Sequence, residues 1–61
     1  MELKEMIYNN VKVTLLIQYK DNYNVQEDVT YKYFLNGFEV KDLTTIKPIH
    51  LEIFELLKKY N

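Results

Sequence analysis

Few side chains in this 61-residue chain could carry covalent chemistry. It has no serine and no cysteine, so the common nucleophiles are missing, and a threonine would need a base placed beside it. The single histidine, His50, has no partners to complete a triad and none at metal-ligand spacing. The only glycine, Gly37, stands alone, so no glycine-rich loop can cradle a phosphate. These absences argue against an enzyme, a metal centre and a bound cofactor.

What remains is the chemistry of recognition. Six tyrosines and three phenylalanines supply large contact surfaces, and nine carboxylates stand against eight lysines for a net charge of −1. There is no arginine to read guanine edges and no basic excess to follow a phosphate backbone, which argues against direct nucleic-acid binding. The stretch "NGFEVKDL", residues 36–43, concentrates the candidate contact residues: Phe38, Glu39, Val40, Asp42 and Leu43.

Size bounds the architecture that can hold them. A chain this short forms one domain, read here as 1–61, and buries only about 60% of its unfolded surface. Small scaffolds usually need a disulfide, a metal or oligomerisation in addition to their core. The first two routes are closed by composition, and 48% of the residues are hydrophobic, so self-association as a homodimer is expected. No apolar run approaches the ~18 residues of a membrane span, and the charged start "MELKEMIYNN" does not read as a secretion signal. A soluble, intracellular protein is expected.

Along the chain, residues 1–8 are read as a flexible N-terminal segment. Residues 11–20, "VKVTLLIQYK", alternate Val11, Val13, Leu15, Ile17 and Tyr19 against a more polar face, the two-residue period of a half-buried strand. The polar stretch from Asp21 to Asp28 reads as a mobile surface loop. A second strand follows in "VTYKYFLN", which puts Val29, Tyr31, Tyr33 and Leu35 on one face, and the two strands make an antiparallel hairpin. Asn36 and Glu39 then fit the N-cap and N3 positions of a capping box, with Leu35 and Val40 at the staple positions. The pattern predicts a helix running to about Ile46, stopped before Pro48 because the residue preceding proline is driven out of the α region. The tail "IHLEIFELLKKY" is ambiguous: Ile49, Leu51 and Ile53 alternate as in a strand, whereas Ile53, Leu56, Leu57 and Tyr60 form a helical stripe.

The runs "NNVKVTLLIQYKDN" and "YKYFLNGFEVKDL" resemble the small uracil-DNA glycosylase inhibitors of short-tailed Bacillus phages, over roughly residues 8–46. The resemblance implies an α+β fold, a three-stranded antiparallel sheet with one short helix in the order β-β-α-β, dimerised through its sheets. It makes the tail a third strand. It further implies a function: occupying the DNA groove of the host glycosylase, with an apolar pocket that captures the enzyme's DNA-intercalating loop and carboxylates that stand in for phosphates. The place of action would be the cytoplasm of the bacterial host.

The family's helical Phe-Glu pair corresponds to Phe38 and Glu39 by identity, or to Leu43 and Thr44 if Gly37 sets the register. Tyr31 and Tyr33 would wall the pocket, while Asp21, Glu27, Asp28, Glu39 and Asp42 are candidate phosphate mimics. Each has a plainer reading: Phe38 as a core residue, the tyrosines as sheet or dimer packing, and Glu39 as a helix cap. The competing function is a small dimeric interaction module, an antitoxin or regulator with a different partner.

Overall fold

The computed structural model describes residues 1–20 and 28–59. They form four strands, β1 (Glu2–Tyr8), β2 (Val11–Lys20), β3 (Asp28–Leu35) and β4 (Phe38–Val40), then a single 3-10 turn at Leu43–Thr45 and a helix, α1 (Pro48–Lys59). The strands make one antiparallel sheet in the order β1-β2-β3-β4. The protein is therefore α+β, with an antiparallel sheet and one helix. The expected order β-β-α-β is replaced by four successive strands with the helix after them.

Two tight turns explain why the extra strands form. Asn9 and Asn10 both have positive φ, 49° and 64°, and join the paired residues Tyr8 and Val11. This is the two-residue hairpin turn whose twist matches that of the flanking strands, and asparagine tolerates its left-handed conformation. Within the segment 1–8 expected to be flexible, Glu2–Tyr8 thus form a paired strand. Asn36 (φ 51°) and Gly37 (φ 84°) make the same turn between Leu35 and Phe38.

The helix expected over 36–46 is absent. Its capping pattern loses to an Asn-Gly pair that prefers a hairpin turn, followed by β-branched Val40, Thr44 and Thr45, which are weak helix formers. The real helix begins at Pro48. Proline lacks the N–H that a first helical residue would leave unpaired, so a residue read as a stop signal serves as a start.

The tail 49–60 resolves as helix over its described part, and the third-strand reading fails. Lys58 and Lys59 in the last turn suit the negative end of the helix. One face of the sheet presents the cross-strand rows Met6-Val13-Leu35-Phe38 and Lys4-Leu15-Tyr33-Val40 to α1. Val13, Leu15, Ile17, Ile53 and Phe54 are buried there, with Tyr8, Val11, Tyr33, Leu35, Leu43, Ile46 and Leu57 packed around them. The other face, with the rows Glu5-Thr14-Phe34-Glu39 and Leu3-Leu16-Lys32, carries no layer among the described residues. The loop expected between Asp21 and Asp28 lies, but for its last residue, outside the described residues.

Candidate protein-binding hairpin

The β3-β4 hairpin and the 3-10 turn after it carry all seven candidate residues. Pairing fixes where each side chain goes. Phe38 lies opposite Leu35, Glu39 opposite Phe34 and Val40 opposite Tyr33. Phe38 and Val40 therefore share the helix side of the sheet, and Glu39 stands on the other side.

Four of the seven do structural work. Tyr33 meets Phe54 edge to face, with ring centres 4.9 Å apart and planes at 72°. The Lys58 ammonium sits 4.6 Å from the Tyr31 ring centre and 5.1 Å from that of Tyr33, within cation-π reach of both. Val40 is half-buried, and Leu43 packs against the core. Tyr31 keeps 38% of its surface in water beside Lys58.

Asp42 is the N-cap of the 3-10 turn. Its Oδ1 accepts from the Thr44 N–H at 3.0 Å and from Thr44 Oγ1 at 2.7 Å. The Thr44 hydroxyl bond and then the backbone bond hold the Asp42 carboxyl below its ordinary range, against a small opposing effect of desolvation. The expected pairing of Glu39 with Asp42 on one helical face does not occur, because Glu39 belongs to a strand. Glu39 has no capping role either. In the alternative register, Leu43 and Thr44 fall in the 3-10 turn, with Leu43 turned to the core and Thr44 bonded to Asp42. Asp21 and Glu27 lie outside the described residues.

Phe38 is different from its neighbours. It is 78% exposed although the sheet face it shares is the buried one, since its position at the outer edge is not covered. The turn that places it is held by Asn36, whose N–H donates to the Lys12 carbonyl at 2.9 Å and whose Oδ1 accepts from the Lys12 N–H at 2.9 Å. A large apolar ring is thus presented to water from a pinned turn. Exposed Glu39 and Asp42 both follow it in sequence.

Lys58, in the last turn of α1, joins this cluster from the helix. Burial alone would lower its pKa, but the Tyr33 hydroxyl and the Glu55 carboxylate outweigh that and raise it. Glu55 Oε2 lies 3.0 Å from Lys58 Nζ, one helical turn away. The i, i+3 spacing of Glu55 and Lys58 was the available signal. Among the described residues, no group of three or more His, Cys, Asp or Glu could hold a metal ion. No helix there is long and apolar enough to cross a membrane.

These features define a small α+β protein with a four-stranded meander backed by one helix. No protein-family model matches the chain, and no curated protein or solved structure matches it.

Proposed function

We propose that this protein is a binding module that acts by occupying another protein's surface, with the β3-β4 hairpin as the contact element. The observation that carries the reading is Phe38, an aromatic ring left 78% exposed on a turn that two hydrogen bonds to Lys12 hold in place. Ordering cost is low for such an anchor, and a few buried aromatic anchors supply most of the energy of many interfaces. Burying a phenylalanine fully is worth about 1.5–3 kcal/mol.

In its specific form the proposal names the uracil-DNA glycosylase of a bacterial host, met in that host's cytoplasm. Phe38 would pack against the enzyme's apolar DNA-intercalating loop while Glu39 and Asp42 face the basic groove. The support is the resemblance of the strands and of the run Phe38-Glu39-Val40, together with the exposure of Phe38, Glu39 and Asp42. The four-strand order departs from the β-β-α-β arrangement that the resemblance implies. That departure favours the broader reading, an antitoxin-like or regulatory module with another partner, wherever the two disagree.

The deciding experiment titrates the purified protein into a uracil-excision reaction run by a Bacillus uracil-DNA glycosylase on a labelled oligonucleotide. Stoichiometric loss of cleavage that Phe38→Ala abolishes supports the specific form. Full activity at large excess removes it and leaves the broader reading, which a Phe38-dependent pull-down from bacterial lysate then tests.

A further inference from the structure

Two turns of the same kind differ here in one chemical respect. Asn9 and Asn36 each open a two-residue hairpin turn, with φ of 49° and 51°, and in each a second residue of positive φ follows. All four turn residues are exposed. Asn9 is followed by Asn10, whereas Asn36 is followed by Gly37, the only glycine of the chain. An asparagine carboxamide can be attacked at Cγ by the backbone nitrogen of the next residue, one reason asparagine counts as thermolabile, and the side chain of that next residue is the chief obstacle. Gly37 has no side chain, and a Cβ at its position would meet nothing within 4 Å, so no neighbour among the described residues crowds the approach.

We propose that Asn36 is a site of spontaneous covalent modification, converting to aspartate and isoaspartate through a cyclic imide, and that its two bonds to Lys12 set the rate. Hydroxide takes the proton of the Gly37 N–H, and that nitrogen bonds to Asn36 Cγ. The Cγ–Nδ2 bond breaks, and the leaving nitrogen takes a proton from water to depart as ammonia, which returns the hydroxide. One water then opens the ring, and nothing is oxidised or reduced. Cleavage between Cγ and the Gly37 nitrogen leaves aspartate. Cleavage between the backbone carbonyl carbon and that nitrogen leaves isoaspartate, in which the chain runs on through Cβ and Cγ.

The closed hairpin restrains this reaction. Asn36 Oδ1 accepts from the Lys12 N–H and the Asn36 N–H donates to the Lys12 carbonyl, both at 2.9 Å. The carboxamide is thereby held to β2, and ring closure requires it to let go and turn onto the Gly37 nitrogen. Reaction proceeds from the fraction of molecules in which the hairpin end is open, a local event of low free energy at an exposed turn. β4 is only three residues long, so its own pairing opposes that opening weakly.

The two products act differently on the hairpin. Aspartate leaves the backbone unchanged and keeps an oxygen that accepts from the Lys12 N–H. Isoaspartate adds one backbone bond, about 1.5 Å, to the turn. Turn length fixes hairpin register, so the pairing of Leu35 with Phe38 and of Phe34 with Glu39 is lost. Both products add a negative charge at position 36. Loss of the binding surface with age is a consequence that rests on the contact role given to Phe38, whereas the modification itself does not.

The test incubates the full chain beside a free peptide of residues 33–40 and maps aspartate and isoaspartate by mass spectrometry, with no binding partner present. Asn36 should convert at a rate proportional to hydroxide concentration, while Asn9 in the matched turn stays intact. Asn10→Gly should make Asn9 reactive as well. The folded chain should react roughly 30-fold more slowly than the peptide, the factor for two net hydrogen bonds of about 1 kcal/mol each. Sub-denaturing urea should leave the folded rate nearly unchanged, because the opening is local. The isolated isoaspartate form should lose amide-exchange protection in β4, whereas Asn36→Asp should keep it. Asn36 staying intact while the peptide converts fully overturns the proposal, as does equal reaction at Asn9. A folded rate equal to that of the peptide, or one that follows the global unfolding constant through urea, overturns the role given to Lys12, and an isoaspartate form with β4 still paired overturns the effect on the hairpin.

Discussion

Asn36 and Lys12 are bound to each other twice, backbone N–H to carbonyl and backbone N–H to side-chain Oδ1, both at 2.9 Å. The bond pair extends the β2-β3 ladder by one residue past Leu35. It fixes the direction in which the chain leaves β3, and hence where Phe38 stands. Gly37 follows with φ 84° and open space where a Cβ would sit. Gly37→Ala should therefore cost only the left-handed backbone strain, about 1–2 kcal/mol, and no clash. Asn36→Ala should cost about 1 kcal/mol for the lost Lys12 bond plus similar strain. Urea unfolding of both variants checks the two values.

Two phenylalanines should separate stability from binding. Phe54 is fully buried against Tyr33, so Phe54→Ala should destabilise by about 3–5 kcal/mol, enough to unfold a marginal 61-residue domain. Phe38→Ala removes an exposed ring and should change stability by no more than about 0.5 kcal/mol. It should nevertheless abolish capture of the partner. Thermal melts read alongside the excision assay distinguish these outcomes, and a large loss of stability in Phe38→Ala would contradict the placement of that ring.

Asp42 should titrate below 3.8, the value of an unperturbed aspartate, because its ionised form accepts two bonds from Thr44. A carboxyl depressed in the folded state stabilises the fold above its unfolded pKa, and that contribution disappears as pH falls through the folded value. Carbon NMR titration of the Asp42 carboxyl should show the depressed midpoint. Thr44→Val should move it back toward 3.8 by removing the hydroxyl bond, the larger cause.

Lys58 gives the opposite sign. Its pKa is raised above 10.5, so its contribution is complete below the unfolded value and is lost as pH rises through the folded one. Wild-type protein should lose stability above about pH 10.5, and Lys58→Met should flatten that fall. At neutral pH the same substitution should cost about 0.5–1 kcal/mol, the size of an exposed cation-π contact. Melting temperatures between pH 7 and 11 measure both.

Partner association should depend only mildly on salt. With a net charge of −1 the protein carries little long-range field, and Glu39 and Asp42 act locally. Raising the ionic strength from 50 to 300 mM should slow association by less than about threefold, within the screening expected for one or two charges. Stopped-flow or surface-resonance rates across that range are the check. A steep fall would mark a strongly electrostatic DNA mimic instead.

The two central strands are written in the sequence itself. The alternation of Val11, Val13, Leu15, Ile17 and Tyr19, and of Val29, Tyr31, Tyr33 and Leu35, matches only one period, and both runs are strands with those faces turned to α1. Elsewhere local signals were compatible with two structures. Asn36 suits a helix N-cap and a left-handed turn residue equally, and the tail carries apolar residues at both periods. Tertiary packing decided these. Once the Asn9-Asn10 and Asn36-Gly37 turns supply β1 and β4, the sheet needs a layer over Val13, Leu15 and Ile17, and only a helical tail can bring Ile53 and Phe54 onto them together. Placed after the sheet, that helix covers Tyr33 and leaves Phe38 beyond its reach. The proposed contact residue is legible as a residue type, but its exposure follows from where the helix ends up.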